Sequence, residues 1–192
     1  MLPLLNQPGF QKRALPLSVA AWHEMIRLNL APARAELIRG VIVEKMSKSI
    51  LHIILADFLA EVFKDALRRT HWVRQEAPLA LTDSEPEPDI SVVAGSRENF
   101  KAHPGTATLV VEVSVSTLAE DRAMAEIYAE AGVEEFWIIN AVERCIEVLR
   151  QPHGGIYAVR ETFGQGQSLT CSALPVTVDV TALFTGLPDA AA

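Results

Sequence analysis

Pro86-Glu-Pro-Asp-Ile-Ser-Val-Val-Ala94 and, after a loop, Leu109-Val-Val-Glu-Val-Ser-Val115 are the two segments on which the reading of this chain turns. Both contain short runs rich in β-branched residues, the pattern of buried strands. Each carries one acid, Asp89 at the start of the first run and Glu112 in the middle of the second. Side chains alternate along a strand, so Leu109, Val111 and Val113 share one face while Val110, Glu112 and Ser114 share the other. Glu112 therefore interrupts an apolar surface. A carboxylate buried alone either neutralises or finds a cation or hydrogen-bond donors. Two acids so placed point to a divalent metal held between them; the plainer alternative is a strand-start Asp and a Glu paired with an arginine.

Working outward, Pro86 and Pro88 fix an extended approach to Asp89. Upstream, Glu36-Leu-Ile-Arg-Gly-Val-Ile-Val-Glu44 has the alternation of two strands joined at Arg39-Gly40, a β-hairpin in which Glu36 and Ile38 face the same way. Glu36 is thus either a solvated strand acid or a group aimed into a cleft. Ser18 caps a helix expected to run to about Leu30, and a long helix is expected from Ser49 to about Thr70, with Leu51, Leu55, Phe58, Leu59, Val62, Phe63 and Ala66 at helical spacing. His52 lies near its start and reads, on residue type alone, as a boundary histidine.

Downstream, Leu79 to Leu81 reads as a short strand-like piece, and Leu118 to Ala131 as a helix carrying Asp121, Met124, Ala125 and Tyr128 on one stripe. Gly132 suits its C-terminal left-handed residue. Further strands are expected at 136–140, 146–150 and 156–159, and a last short helix from Asp179 to Phe184.

The chain has 192 residues, 49% apolar and 21% charged, and is read as an extended arm over 1–16, one domain over 17–187 and a frayed tail over 188–192. A net charge of -7 opposes gripping nucleic acid by bulk electrostatics, although a local basic patch is compatible with it. Cys145 and Cys171 lack metal-ligand spacing, and no secretory leader is evident, so reduced thiols in a cytoplasmic setting are expected. The longest apolar stretch, Ile50 to Phe63, is broken by His52, Asp57 and Glu61 and excludes a membrane span there. The proline-containing arm and Phe136-Trp137 near a strand end lead us to expect a homodimer.

Taken together, the hairpin Glu36 to Glu44, His52, Ser84-Glu-Pro-Glu-Pro-Asp-Ile90, Val110-Val-Glu-Val-Ser-Val-Ser-Thr117, Asp121-Arg122 and Tyr128-Ala-Glu-Ala-Gly-Val-Glu-Glu-Phe-Trp-Ile-Ile-Asn140 resemble the Uma2 (DUF820) family. The likeness spans roughly Ala35 to Leu149. It implies an α/β fold of the restriction-endonuclease-like PD-(D/E)xK type, a mixed sheet flanked by helices. It further implies Asp89, Glu112 and Glu36 as catalytic acids that hold Mg²⁺ or Mn²⁺, with His52, Ser114, Asp121 and Arg122 as accessory positions, and hydrolysis of DNA phosphodiesters.

One departure from the family's pattern bears on activity. The lysine of the PD-(D/E)xK motif is replaced by Ser114, and in this family it is supplied instead by the helix after Asp121-Arg122. That turn here holds Met124 and Ala125, and Tyr128 follows Asp121 one residue sooner than the family's spacing. The cation is expected to be lost, and nuclease activity to be reduced with it, unless Lys45, Lys48 or Lys101 replaces it. A catalytically degenerate nucleic-acid or protein binding module and a hydrolase of smaller phosphoesters are the competing readings.

Overall fold

The computed structural model describes Gly9 and residues 13–188 except Arg69. Most of the expected arm and tail, and Arg69 at the end of the long helix, lie outside the described residues. In chain order the elements are α1 (Val19–Arg27), β1 (Ala35–Ile38), β2 (Val41–Glu44), α2 (Ile50–Leu67), β3 (His71–Gln75), β4 (Ile90–Ala94), β5 (Leu109–Ser114), α3 (Leu118–Glu130), β6 (Glu135–Asn140), β7 (Cys145–His153), β8 (Ile156–Phe163), β9 (Ser168–Thr170), β10 (Thr177–Asp179) and α4 (Val180–Phe184).

The caps fall where side-chain chemistry puts them. The Ser18, Ser49 and Asp179 side chains accept the amides of Ala21, His52 and Ala182, satisfying N–H groups that have no partner within their helices. The β1–β2 hairpin turns through Arg39 and Gly40, both at positive φ (50° and 72°). A Cβ at Gly40 would come within 2.3 Å of the Pro16 Cβ, so only glycine fits there.

Strands β3 to β8 form one mixed sheet in that order. Its one parallel pair, β5 with β6, is connected through α3, as a parallel connection requires a crossover. Leu109, Val111 and Val113 pack with α2, α4 and the β9–β10 pair, whereas Val110 packs with Tyr128, Phe136 and Ile138 beside α3. The alternation along β5 thus separates two core layers, and Glu112 belongs to the α3 side.

Two expectations change, and one small strand pair has no counterpart in the sequence reading. Leu79 to Leu81 forms no strand; the Leu79 and Ala80 amides bond instead to the Pro86 and Pro104 carbonyls. The β9–β10 pair has only three residues a side, too short to leave a period in the sequence. Phe136 and Trp137, expected at an interface between subunits, are fully buried because β6 is an interior strand covered on both faces.

Glu135 fastens the sheet to its C-terminal layer. Fully buried, it accepts from Trp137 Nε1 (2.7 Å), Arg150 Nε (3.0 Å) and both the amide (2.8 Å) and hydroxyl (2.6 Å) of Ser172. Burial pushes its carboxyl up, but these donors outweigh it and hold the group below the ordinary range. Its contribution is therefore present above the unfolded-state pKa and is lost as pH falls through the folded one. Glu135→Ala, which leaves the Trp137 Nε1–H and both Ser172 donors without their acceptor while Arg150 keeps Glu161, is expected to cost about 3–5 kcal/mol in chemical unfolding. A cost under about 1 kcal/mol would contradict this role.

Candidate active site

A cleft of about 540 Å³ opens between the β1–β2 hairpin, the start of α2, the junction of β4 with β5, and the first turns of α3. Glu36, Asp89, Glu112, His52 and Asp121 all line it, as do Lys45 and Lys48. The antiparallel register Ile90↔Val111 carries Asp89, one residue before β4, alongside Glu112 on β5. The Asp89 amide donates to Glu112 Oε2 at 3.1 Å. Both side chains line the same cleft, and the Asp89 charge acts on the Glu112 carboxyl.

Each acid is held by different donors. Asp89 Oδ2 accepts from His52 Nε2 (2.8 Å) and the Val113 amide (2.7 Å), and Oδ1 accepts from Lys48 Nζ (2.7 Å). Lys48 also reaches Glu76 at 3.2 Å. Glu112 Oε1 accepts from the buried Tyr128 hydroxyl at 2.7 Å. Glu36, which shares the cleft-facing side of β1 with Ile38, accepts the Glu87 amide at 3.0 Å, and Glu87 is ion-paired with Lys45. Asp121 accepts from Thr117 Oγ1 at 2.7 Å and is hydrogen-bonded to Ser114.

The electrostatics follow from this crowding. Burial, then the Asp89 and Asp121 charges, push Glu112 well above the ordinary carboxyl range, against the pull of Tyr128. Glu36 and Asp121 are also raised, chiefly by burial. Asp89 moves the other way: burial alone would raise it, but His52 and Lys48 together hold it below its usual value. Lys48 is pulled down by burial and lifted by Asp89 and Glu76, with a net upward shift.

Arg122 does not join the cleft. Its guanidinium pairs with Glu147 on β7, with Nε at 3.0 Å, as its place beside Asp121 on the helix demands. Lys101 lies on an exposed loop away from the cleft. The one-residue ambiguity on α3 resolves, because Met124 lines the cleft while Ala125 faces a separate groove with Gly155 and Tyr157. Sequence reasoning gave Lys48 and Lys45 no fixed place and assigned Tyr128 no partner. Tyr128 carried a usable signal, standing two turns beyond Asp121 on one stripe. Lys48 carried only its position beside the Ser49 cap.

The family model described as "Uma2: Putative restriction endonuclease" matches residues 22–182. The chain belongs to the Uma2 family. No curated protein matches the Uma2 chain. Among solved structures, a "putative nuclease belonging to DUF820" from Anabaena variabilis ATCC 29413 superposes with a TM-score of 0.74 at 15% identity, over 88% of this chain and 98% of that one. At that identity the likeness establishes the fold, a six-stranded mixed sheet flanked by helices.

Among the described residues no three His, Cys, Asp or Glu side chains form a ready-made metal cage. The donor set nonetheless suits a hard divalent cation: the candidates are carboxylate oxygens, and Mg²⁺ is commonly held by one or two carboxylates together with water and substrate phosphate. Glu112, whose charged form is disfavoured by burial and by its acidic neighbours, is the group whose ionisation a bound cation would favour.

Ionising groups with raised pKa values destabilises the metal-free fold as pH climbs from the unfolded-state value, about 4.3 for Glu, through the folded one. Glu112→Gln keeps an acceptor for Tyr128 while removing the charge. Its melting temperature should exceed the parent's at pH 8, with the difference fading toward pH 4. A lower melting temperature than the parent at pH 8 would count against charge crowding at Glu112.

Proposed function

We propose that this Uma2 chain is a Mg²⁺- or Mn²⁺-dependent endonuclease that hydrolyses DNA phosphodiesters in this cleft. The observation that carries the reading is the convergence of Glu36, Asp89 and Glu112 on one open cavity, each positioned by backbone or by a dedicated donor. When bound, a divalent ion supplies Lewis acidity to the phosphoryl group and to an attacking water. Asp89 and Glu112 would hold that ion, and Glu36 from the hairpin would offer a third oxygen.

The other residues act on these three. His52 and the Val113 amide fix the orientation of Asp89, and Tyr128 does the same for Glu112. Burial and the Glu112 charge keep the Tyr128 phenol a neutral donor, well above its ordinary pKa. Charge explains why metal is required at all. Among the described residues, Glu36, Glu44, Glu87, Asp89, Glu112, Glu120 and Asp121 line the cleft, seven acids against the two lysines Lys45 and Lys48. A polyanion meets net repulsion there until cations enter. The apolar Met124 at the helix-lysine position supports the second reading, a binding module that has lost catalysis.

Mn²⁺ at about 100 times its dissociation constant should stabilise the fold by roughly 2.7 kcal/mol near neutral pH, a melting shift of roughly 5–10 °C. Asp89→Ala should abolish that shift, and an unchanged shift in the variant removes Asp89 from the site. Cleavage of supercoiled plasmid with Mn²⁺ separates the enzyme from the binding module, which would retain DNA without nicking it. Duplex cleavage on a two-fold axis favours a homodimer. Light scattering should then exceed the 21.0 kDa of one chain, and a monomer at micromolar concentration contradicts the dimer.

A further inference from the structure

Lys48 brings to the cleft an ammonium that Met124 on α3 does not supply. It stands immediately before the Ser49 cap of α2, half-buried, with Nζ held between Asp89 Oδ1 (2.7 Å) and Glu76 Oε1 (3.2 Å). The other Asp89 oxygen is already engaged by His52 and the Val113 amide, so Lys48 contacts the oxygen that, among the described residues, has no other donor. Lys45, the second cleft lysine, is tied to Glu87. Met124 on the α3 wall has no charge to offer. Among the described residues, Lys48 is thus the lysine that touches the candidate metal ligands.

We propose that Lys48 is the catalytic cation of this chain, replacing the lysine that α3 lacks. The inference rests on the endonuclease reading above. The ammonium donates to a non-bridging oxygen of the scissile phosphodiester and to the attacking water, and stays protonated throughout. The water oxygen forms the new P–O bond, and one bridging P–O bond breaks with its electron pair leaving on the sugar oxygen. One proton of the water ends on that sugar oxygen and the other on solvent. Positive charge beside the phosphoryl oxygens stabilises the transition state more than the ground state, because negative charge builds there as the bond breaks. The flexible four-carbon stem of lysine lets one ammonium serve from a different wall of the cleft.

The test uses the full chain and two variants, Lys48→Met and Lys48→Met combined with Met124→Lys. Mn²⁺ affinity is measured by calorimetry without DNA, and nicking of supercoiled plasmid is measured with Mn²⁺ present. Lys48→Met should bind Mn²⁺ at least as tightly as the parent, since a cation competing for Asp89 is gone, yet nick roughly 100-fold more slowly. Adding Met124→Lys should recover at least about tenfold of the lost rate, a rescue that a merely structural Lys48–Asp89 pair could not explain. Nicking by Lys48→Met within about threefold of the parent overturns the proposal while leaving the endonuclease reading intact. Loss of Mn²⁺ binding together with nicking overturns it too, reducing Lys48 to a support for Asp89. A parent that binds Mn²⁺ but never nicks overturns the endonuclease reading, and the role of Lys48 with it.

Discussion

Two carboxyl groups set side by side at the β4–β5 junction are the constraint to which the surrounding structure answers. Like charges at this spacing in a half-buried setting repel strongly, and neither can be left without donors. The sheet register creates the problem by placing Asp89 next to Glu112. The same register begins to solve it, because the Asp89 amide serves Glu112 and the Val113 amide serves Asp89. What backbone cannot supply comes from the two flanking layers, His52 from α2 and Tyr128 from α3. The helices are therefore more than cover for the sheet, since each contributes one polar group to the junction.

The outcome is an asymmetric pair. His52 and Lys48 hold Asp89 below its usual carboxyl range, while burial and neighbouring anions push Glu112 well above its own. Such splitting of adjacent acids is common where chemistry is done, and it also arises in ion-pair networks with no catalytic role. Glu135 supplies the contrast within this chain. It too is buried, but its donors are matched to one carboxylate and its shift is downward, a satisfied structural charge that fastens β6 to the C-terminal layer. Among the described residues the cleft acids outnumber the lysines beside them, and unsatisfied negative charge of this kind lowers stability.

Much of the sheet was legible in the sequence because its signals are local. Alternation in 109–114 gives the two faces of β5, serine and aspartate caps mark helix starts, and Arg39-Gly40 marks the hairpin. The acids of the cleft were legible for a related reason: a charge inside a β-branched run is conspicuous without knowledge of its partners. The partners themselves were not. Lys48 lies 41 residues from Asp89, and nothing near it in sequence says that the hairpin and α2 will fold it back onto the β4–β5 junction. Phe136 and Trp137 misled for the opposite reason, since apolarity alone does not distinguish an interior strand from an interface, and only the neighbours on both faces decide it.

Diffraction from crystals soaked in Mn²⁺, recorded at the manganese absorption edge, bears most directly on the central claim. An anomalous peak is expected within about 2.0–2.6 Å of carboxylate oxygens from both Asp89 and Glu112. A chain saturated with Mn²⁺ whose only anomalous peaks lie away from these two residues would contradict it.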